Sequence, residues 1–128
     1  MKCAFGAMIS LALASCAAGP HLGAATDVVI TESGNNKPDD NSAKCDDFTI
    51  STREARAILN RATIVTGFEI HDYYPWSPCY VKGTASFRGN RGSWTLRKWG
   101  TGDVVLLDGV EFNIVDERTA PRRNREEM

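Results

Sequence analysis

Residues 79–115 read CYVKGTASFRGNRGSWTLRKWGTGDVVLLDGVEFNIV, and this stretch decides the fold. Apolar and polar residues alternate through much of it, which is the two-residue period of a β-strand with one buried face. Glycine-containing turns interrupt the alternation three times, at residues 89–92, 100–102 and 108–109. Short turns of this kind join antiparallel neighbours, and Asp-Gly is among the strongest hairpin signals. The stretch therefore predicts four consecutive antiparallel strands, over residues 79–88, 93–99, 103–107 and 110–115.

A helix and one further strand precede these hairpins. Ser51 and Glu54 have the spacing of a capping box, in which each side chain bonds the other residue's backbone N–H. Four apolar residues then follow at helical spacing, namely Ala55, Ile58, Leu59 and Ala62. This pattern predicts an amphipathic helix over residues 52–62. Residues 63–74 are rich in β-branched and aromatic residues and predict a strand, with a bulge or a close backbone approach at Gly67.

The order of these elements predicts the class of the fold. A helix followed by strands in short hairpins is typical of an α+β domain. We expect one short N-terminal helix packed on an antiparallel meander sheet of about five strands, within residues 45–118. Residues 119–128 are rich in charge and predict a mobile tail.

The amino terminus has the composition of a signal peptide. Lys2 supplies the positive charge, and residues 3–14 form an apolar core that is too short to span a bilayer. The core ends in a sequence that resembles the lipobox of bacterial lipoproteins, Leu13-Ala14-Ser15-Cys16. The resemblance implies that residues 1–15 are removed and that Cys16 carries lipid, such as palmitate. An ordinary signal peptide or a buried N-terminal helix is the alternative.

The residues after Cys16 bear on the location. In lipoproteins of Gram-negative bacteria, an Asp directly after the lipidated Cys favours the inner membrane. Ala17 stands there instead, so the resemblance implies a periplasmic protein anchored to the outer membrane by its lipid. A Gram-positive host and surface exposure stay open. Residues 16–44 are polar and rich in turn formers and predict a flexible tether, although residues 28–31 could instead add an edge strand.

The charge balance excludes one class of partner. The chain has 15 Lys and Arg against 16 Asp and Glu, for a net charge of −1. A dedicated nucleic-acid-binding protein usually has a strong basic excess. We therefore expect no nucleic-acid partner.

Two cysteines remain once the leader and the lipid site are set aside. Cys3 lies in the leader, which leaves Cys45 and Cys79 in the folded part. A pair of cysteines in a small domain of an oxidising compartment predicts a disulfide. A metal pair or a catalytic thiol is the alternative, but neither a C-x-x-C spacing nor a histidine cluster supports it. We expect no metal site and no cofactor.

The chain has little that points to catalysis. His71 and Asp72 would lie on opposite faces of the predicted strand, with Glu69 beside His71. A nucleophile and a second histidine are absent from the pattern, and Ser77 and Ser93 have no Gly-x-Ser-x-Gly context. A domain of this size also leaves little room for a pocket. The sequence therefore predicts a protein that is not an enzyme, with no catalytic residue.

The most suggestive segment for binding is residues 73–80, YYPWSPCY, with four aromatic residues and two prolines in eight positions. Two consecutive aromatic residues on a strand point to opposite faces, so we expect one of Tyr73 and Tyr74 to be exposed. Rigid, exposed Tyr and Trp are favoured at protein interfaces. The alternative is that these side chains cover the end of the sheet and the disulfide. We predict that a protein partner binds Asp72, Tyr73, Tyr74, Trp76 and Tyr80.

Several short motifs follow one another in a characteristic order: Cys45 with its helix, Ser77-Pro78-Cys79-Tyr80, Gly83-Thr84, Gly92-Ser93-Trp94, Gly100-Thr101-Gly102 and Asp108-Gly109. In this order they resemble a family of small, poorly characterised bacterial envelope proteins. The resemblance implies a secreted, disulfide-linked and non-catalytic protein. Some small periplasmic lipoproteins of comparable design are immunity proteins, which bind and block antibacterial effectors.

Three hypotheses for the function follow. The first is a lipid-anchored periplasmic binding protein, an immunity protein that inhibits a toxin by occlusion. The second is a structural or accessory lipoprotein of an envelope or secretion assembly. The third, a small hydrolase or ligand carrier, would need a pocket.

Overall fold

The computed structural model describes residues 21–38 and 44–119. The predicted signal peptide, the lipidation site Cys16 and residues 120–128 of the predicted tail lie outside the described residues.

Six strands and two helices form the described fold. The strands are β1 (Ala25–Asn35), β2 (Thr63–Val65), β3 (Cys79–Phe87), β4 (Asn90–Arg97), β5 (Thr101–Leu106) and β6 (Glu111–Val115). The helices are α1 (Thr52–Arg61) and α2 (Gly67–Tyr73). All strands pair antiparallel in one sheet of order β1-β3-β4-β5-β6-β2. The α+β class is confirmed, but the sheet has six strands rather than about five, and the helix is not N-terminal because β1 precedes it.

Strand β1 corrects the prediction that residues 16–44 form a tether throughout. It pairs with β3 from Ala25, opposite Phe87, to Asn35, opposite Cys79. The two backbones approach so closely at Gly83 that a Cβ there would lie 1.8 Å from the Val29 carbonyl oxygen. Two register shifts and a positive φ of 53° at Asp27 interrupt the strand, so its alternation is hard to see in the sequence. The alternative edge strand over residues 28–31 was therefore the better interpretation, and it is longer than expected.

The predicted helix before the hairpins is confirmed as α1. The Ser51 hydroxyl accepts from the Glu54 N–H at 3.0 Å, and the Glu54 carboxylate accepts from the Ser51 N–H at 2.9 Å. These two bonds satisfy backbone donors that the first turn leaves without partners. Ala55 and Leu59 are fully buried on the face that packs against the sheet. None of the helices in the described part of the chain is long and apolar enough to cross a membrane.

The strand predicted over residues 63–74 is wrong beyond its first residues. Strand β2 ends at Val65, and α2 follows at once. Thr66 caps α2 through a second capping box, in which its hydroxyl accepts from the Glu69 N–H at 3.0 Å and its N–H donates to the Glu69 carboxylate at 2.9 Å. Gly67 is therefore the first residue of a helix and not a bulge. The two capping bonds outweigh the β propensity of the segment, which is a weak preference.

The hairpins that follow confirm the sequence pattern with small shifts. The β3–β4 connection is a two-residue turn at Arg88 and Gly89, both with positive φ, rather than a turn over residues 89–92. Positive φ at both central residues fits the twist of the flanking strands. The β5–β6 turn contains Gly109 with φ of 93°, and the Asp108 carboxylate accepts from the Val110 N–H at 3.0 Å.

The two helices lie on opposite faces of the sheet. Consecutive strand residues point to opposite faces, and on β6 Ile114 belongs to the apolar cluster of α1 whereas Val115 belongs to the cluster of α2. The first cluster contains Trp94, Leu59 and Val104, which are almost completely buried. The second contains Tyr73 and Tyr74. The sheet is thus covered on both faces, which a single helix could not do.

The predicted disulfide is confirmed between Cys45 and Cys79. It joins the segment before α1 to the first residue of β3, across a sequence separation of 34. Cys79 is 2% exposed. The bond therefore closes a large loop that contains both helices and β2.

An ion pair fastens the end of α1 to the end of the sheet. The Arg61 Nε and Nη2 atoms each donate to one oxygen of Asp116 at 2.8 Å. Asp116 is 2% exposed and also accepts from the Thr119 hydroxyl at 2.8 Å. Burial alone would raise the pKa of Asp116, but the hydrogen bonds from Arg61 and Thr119 outweigh it and hold the pKa below its ordinary value.

Removing the disulfide should destabilise the fold. We expect the double substitution Cys45→Ala and Cys79→Ala to lower the free energy of unfolding by about 3 kcal/mol, because the unfolded chain regains the freedom of a long loop. Thermal unfolding with and without reductant measures this effect. An unchanged melting temperature, or two free thiols in protein purified from an oxidising compartment, would contradict the prediction.

Removing the buried carboxylate should cost stability in a pH-dependent way. We expect Asp116→Asn to lower the free energy of unfolding by roughly 2 kcal/mol at neutral pH, because hydrogen bonds to a charged group are lost. Because the folded-state pKa of Asp116 is lowered, its contribution is present above the unfolded-state pKa and is lost as the pH falls through the folded-state pKa. Urea unfolding at neutral and at acidic pH should show this difference shrink.

A matched control is Asp47→Asn, which removes the exposed pair with Lys98 at 3.0 Å. Solvent screens such pairs, so this variant should unfold almost as the parent protein does. An equal loss in both variants would mean that burial of Asp116 is not the source of the effect.

Candidate functional site

An open cleft of about 710 Å³ lies on the α2 face of the sheet. Its volume is in the usual range for ligand sites, so the expectation that a domain of this size leaves little room for a pocket is wrong. The cleft runs between the loop after α2 and the strands β4, β5 and β6, and Lys37 closes one side. The lining residues are Lys37, Ile70, His71, Tyr74, Pro75, Trp76, Arg97, Thr101, Gly102, Asp103 and Asn113.

Trp76 forms the aromatic wall of the cleft. Its side chain is 47% exposed, although it stands next to Pro75 and the buried Ser77. The Lys37 ammonium lies 5.3 Å from the centroid of the ring, and the Arg97 guanidinium lies 5.0 Å from it. Cations over an aromatic face are attracted by its quadrupole. These two contacts favour the position of the ring, which stays half-exposed.

Arg97 connects the loop, the end of β1 and the sheet. Its Nη1 donates to the Asn36 side-chain oxygen at 2.7 Å and to the Ser77 carbonyl at 3.2 Å. Burial lowers the pKa of Arg97, and the nearby carboxylate of Asp103 opposes that shift. Arginine nevertheless keeps its charge in proteins at ordinary pH, so the cleft contains a partly desolvated cation.

Asp103 stands on the floor of the cleft. It is directly opposite Thr95 on β4 and Asn113 on β6, and Arg97 follows two residues after Thr95 on the same face. Burial raises the pKa of Asp103, the charge of Arg97 lowers it, and the charge of Glu111 raises it. Within the described chain the Asp103 side chain forms neither an ion pair nor a hydrogen bond. It is a half-buried carboxylate that is available to a ligand.

The five residues predicted to bind a partner do not form one surface. Trp76 and Tyr74 line the cleft, whereas Tyr73, Tyr80 and Asp72 do not. Tyr73 and Tyr74 are 7% and 3% exposed, so the expectation that one of them is exposed is wrong. The reason is that α2 and the chain after it turn both rings toward Val115.

Two tyrosines of the set donate their hydroxyls to carboxylates that do not line the cleft. The Tyr74 hydroxyl donates to the Glu117 carboxylate at 2.9 Å. The Tyr80 hydroxyl donates to Glu32 on β1 at 2.6 Å, and this bond raises the pKa of Tyr80 and lowers the pKa of Glu32. Tyr80 therefore joins β3 to β1; it lies opposite Arg97 on the same face of the sheet but does not line the cleft.

His71 and Asp72 lie close together, which the predicted strand would have prevented. Their side chains are 3.0 Å apart at Nδ1 and Oδ1, and the His71 side chain is 87% exposed. Glu69 belongs to the capping box of α2. Ser77 is buried, and its hydroxyl accepts from the Cys79 N–H at 3.1 Å. In the described part of the chain, no three His, Cys, Asp or Glu side chains are grouped as metal ligands would be.

Sequence reasoning missed four polar residues of the cleft, namely Lys37, Arg97, Asp103 and Asn113. Lys37 lies in the segment predicted to be a tether, and the other three lie in or beside predicted strands for which no site was predicted. A signal was present in the strands, because Asp103 and Asn113 are polar residues at hairpin positions that face each other. The cleft was not predicted because α2, which covers part of that face and borders the cleft, was predicted to be a strand.

Comparison of the chain with known proteins finds no match: no family model, no curated protein and no solved structure is similar enough. The resemblances drawn from the sequence motifs therefore stay predictions. What the cleft does has to be inferred from its own geometry.

Replacing the carboxylate on the cleft floor should stabilise the protein. The folded-state pKa of Asp103 is raised, so its ionised form is more costly in the folded state than in the unfolded state. Stability therefore falls as the pH rises from the unfolded-state pKa through the folded-state pKa. We expect Asp103→Asn to raise the melting temperature at neutral pH, and the gain to vanish at a pH below the unfolded-state pKa. A lower melting temperature at neutral pH would show that Asp103 makes a favourable contact.

Proposed function

We propose that this protein is a binding protein that holds a protein partner at the Trp76 cleft. The observation that supports this proposal is the half-exposed Trp76 ring, which two cations hold beside an open cleft. A rigid aromatic side chain loses little conformational freedom on binding, which is why Trp dominates the energetics of many interfaces. The neighbouring apolar residues Ile70, Tyr74 and Pro75 would pack around a partner's side chain.

We propose binding rather than catalysis because the groups around the cleft do not form a reactive set. Both described cysteines are in the disulfide, and the Ser77 hydroxyl is buried against backbone. Asp103 and His71 both line the cleft, but no nucleophile among the described residues is hydrogen-bonded to either of them. A nucleophile and its base normally stand within hydrogen-bond reach of each other.

We further propose that the protein is anchored to the outer membrane through lipid on Cys16 and works in the periplasm. The described chain begins at His21, whose ring nitrogen lies 2.9 Å from the Ala62 carbonyl oxygen, and Leu22 packs against the core. Four residues lie between Cys16 and His21, and five extended steps of the chain span at most about 18 Å. The lipid would hold the domain close to the membrane surface, without the long tether expected from the sequence.

The kind of partner that we propose is an antibacterial effector, which the protein would block by occlusion as an immunity protein. A domain that is held near the membrane and offers a preformed site suits a protein that meets incoming toxins. The second candidate is an accessory lipoprotein of an envelope or secretion assembly, whose partner belongs to the same cell.

Substitution of Trp76 should separate binding from folding. We expect Trp76→Ala to weaken partner binding at least about tenfold, because the aromatic wall of the cleft is lost. The matched control is Trp99→Ala, since Trp99 is also 47% exposed but does not line the cleft. The measurement is capture by the tagged full chain in its own host, followed by affinity measurement with the purified partner.

The outcomes distinguish the candidates. A secreted toxin that is lost with Trp76→Ala and retained with Trp99→Ala supports the immunity proposal. An envelope component of the same cell favours the assembly proposal. Equal binding by both variants would show that the cleft is not the binding site, and capture of no protein would point to a partner from outside the host, a small ligand or a lipid.

A further inference from the structure

We infer that the cleft recognises a carboxylate, and that the partner supplies it as an acidic side chain that docks on Arg97 beside Trp76. This inference rests on the proposed function, because it names the chemistry of the partner at the same cleft. The groups that carry it are the guanidinium of Arg97, the ammonium of Lys37 and the ring of Trp76.

The hydrogen bonds of Arg97 leave one edge of its guanidinium open. Both bonds to the protein use Nη1, and among the described residues Nε and Nη2 have no acceptor. No buried side-chain nitrogen or oxygen of the described residues lacks a partner, so these two atoms reach solvent. The two Nη1 bonds orient the guanidinium and leave its Nε and Nη2 atoms free to bind a ligand. Arg97 itself lines the cleft.

Arg61 in the same molecule shows how the Nε and Nη2 atoms of an arginine bind a carboxylate. Its Nε and Nη2 hold the two oxygens of Asp116, each at 2.8 Å. Paired bonds of this kind are shorter and stronger than neutral ones, and they select a planar group with two acceptors. Arg97 has the same two donors, and the orientation of its fork is already fixed by Asn36 and Ser77.

Lys37 supplies the second positive charge. Its ammonium lies over the same ring as Arg97 and forms no ion pair with another described residue. Both cations lie close to the same ring, so an anion bound beside Trp76 would be attracted by two positive charges. The Trp76 ring offers apolar surface for the methylene groups of a Glu or Asp side chain.

Asp103 opposes an incoming carboxylate, and this has a measurable consequence. Its charge acts on Arg97 but the two side chains do not form an ion pair. Asp103 therefore offsets part of the positive field of the cleft without occupying the open edge of Arg97. Neutralising it should tighten the binding of an acidic ligand.

The probes that test this inference are three hexapeptides with a neutral fluorophore. The first has alternating Gly and Glu and an amidated end, the second replaces Glu by Gln, and the third has Gln with a free terminal carboxylate. Fluorescence anisotropy with the full chain, purified in detergent from its host, gives the affinities. We expect the Glu peptide to bind at least about tenfold tighter than the amidated Gln peptide. Tighter binding of the third peptide would show that the cleft prefers a terminal carboxylate. It would overturn the proposal that the partner supplies an acidic side chain.

Variants locate the site. Arg97→Gln should weaken binding of the Glu peptide at least about tenfold, and Asp103→Asn should strengthen it. The matched control is Arg91→Gln, an exposed arginine on the same strand β4 but outside the cleft, which should bind within about twofold of the parent. If Arg97→Gln does not fold, Lys37→Gln decides, because Lys37 is exposed and its substitution should weaken binding without affecting the fold.

Three results would overturn the inference: equal affinity for the amidated Glu and Gln peptides, no binding of the Glu peptide, or full binding by Arg97→Gln or Lys37→Gln. These results are separate from the fate of the proposed function. Partner capture that depends on Trp76 together with no preference for Glu would reject the carboxylate alone. Tight, Arg97-dependent binding of the Glu peptide together with partner binding that does not depend on Trp76 would reject the proposed function at the cleft and keep the carboxylate site.

Discussion

The bond between Cys45 and Cys79 is the constraint on which the rest of the structure depends. Cys79 is the first residue of β3, and β3 pairs with both β1 and β4 next to one edge of the sheet. The bond holds the segment before α1 against this strand, so α1 reaches the face on which Trp94 is buried. A chain of this size buries a modest apolar core, and a covalent closure compensates by reducing the freedom of the unfolded chain.

The same residue sets up the cleft. The loop that contains Trp76 ends at Cys79, whose N–H donates to the Ser77 hydroxyl and whose sulfur is bonded to Cys45. Arg97 fastens the loop from the other side through the Ser77 carbonyl. A half-exposed Trp is therefore part of a rigid frame, and this rigidity is what makes an interface role physically reasonable.

The cleft exists because the sheet is covered on both faces but incompletely on one. The helix α1 covers the face of Ile114, and the short α2 covers the other face only near Val115. The uncovered part contains Arg97 and Asp103, two charged residues that are partly desolvated and do not pair. Unpaired, desolvated charges cost stability and are often kept at functional sites. The proposed carboxylate site rests on this arrangement.

Local interactions made much of this protein predictable from the sequence. The capping box of Ser51 and Glu54, the strand alternation from Cys79 to Val115 and the Asp108-Gly109 turn act over a few residues, and the structure agrees with them. The disulfide was predictable because two cysteines remained. The second capping box, Thr66 to Glu69, was visible in the sequence but was overlooked among β-branched and aromatic residues.

Tertiary contacts decided the rest. Strand β1 pairs closely with β3 because Gly83 has no Cβ to collide with the Val29 carbonyl oxygen. Two register shifts interrupt the alternation of its residues, so the strand is hard to recognise in the sequence. The cleft joins Lys37, Trp76 and Arg97 from three separate parts of the chain. The sequence by itself determined which segments become helix or strand where one local period dominates. Only the tertiary structure decided which polar face is covered and which charges meet, because burial and long-range pairing depend on elements far apart in the chain.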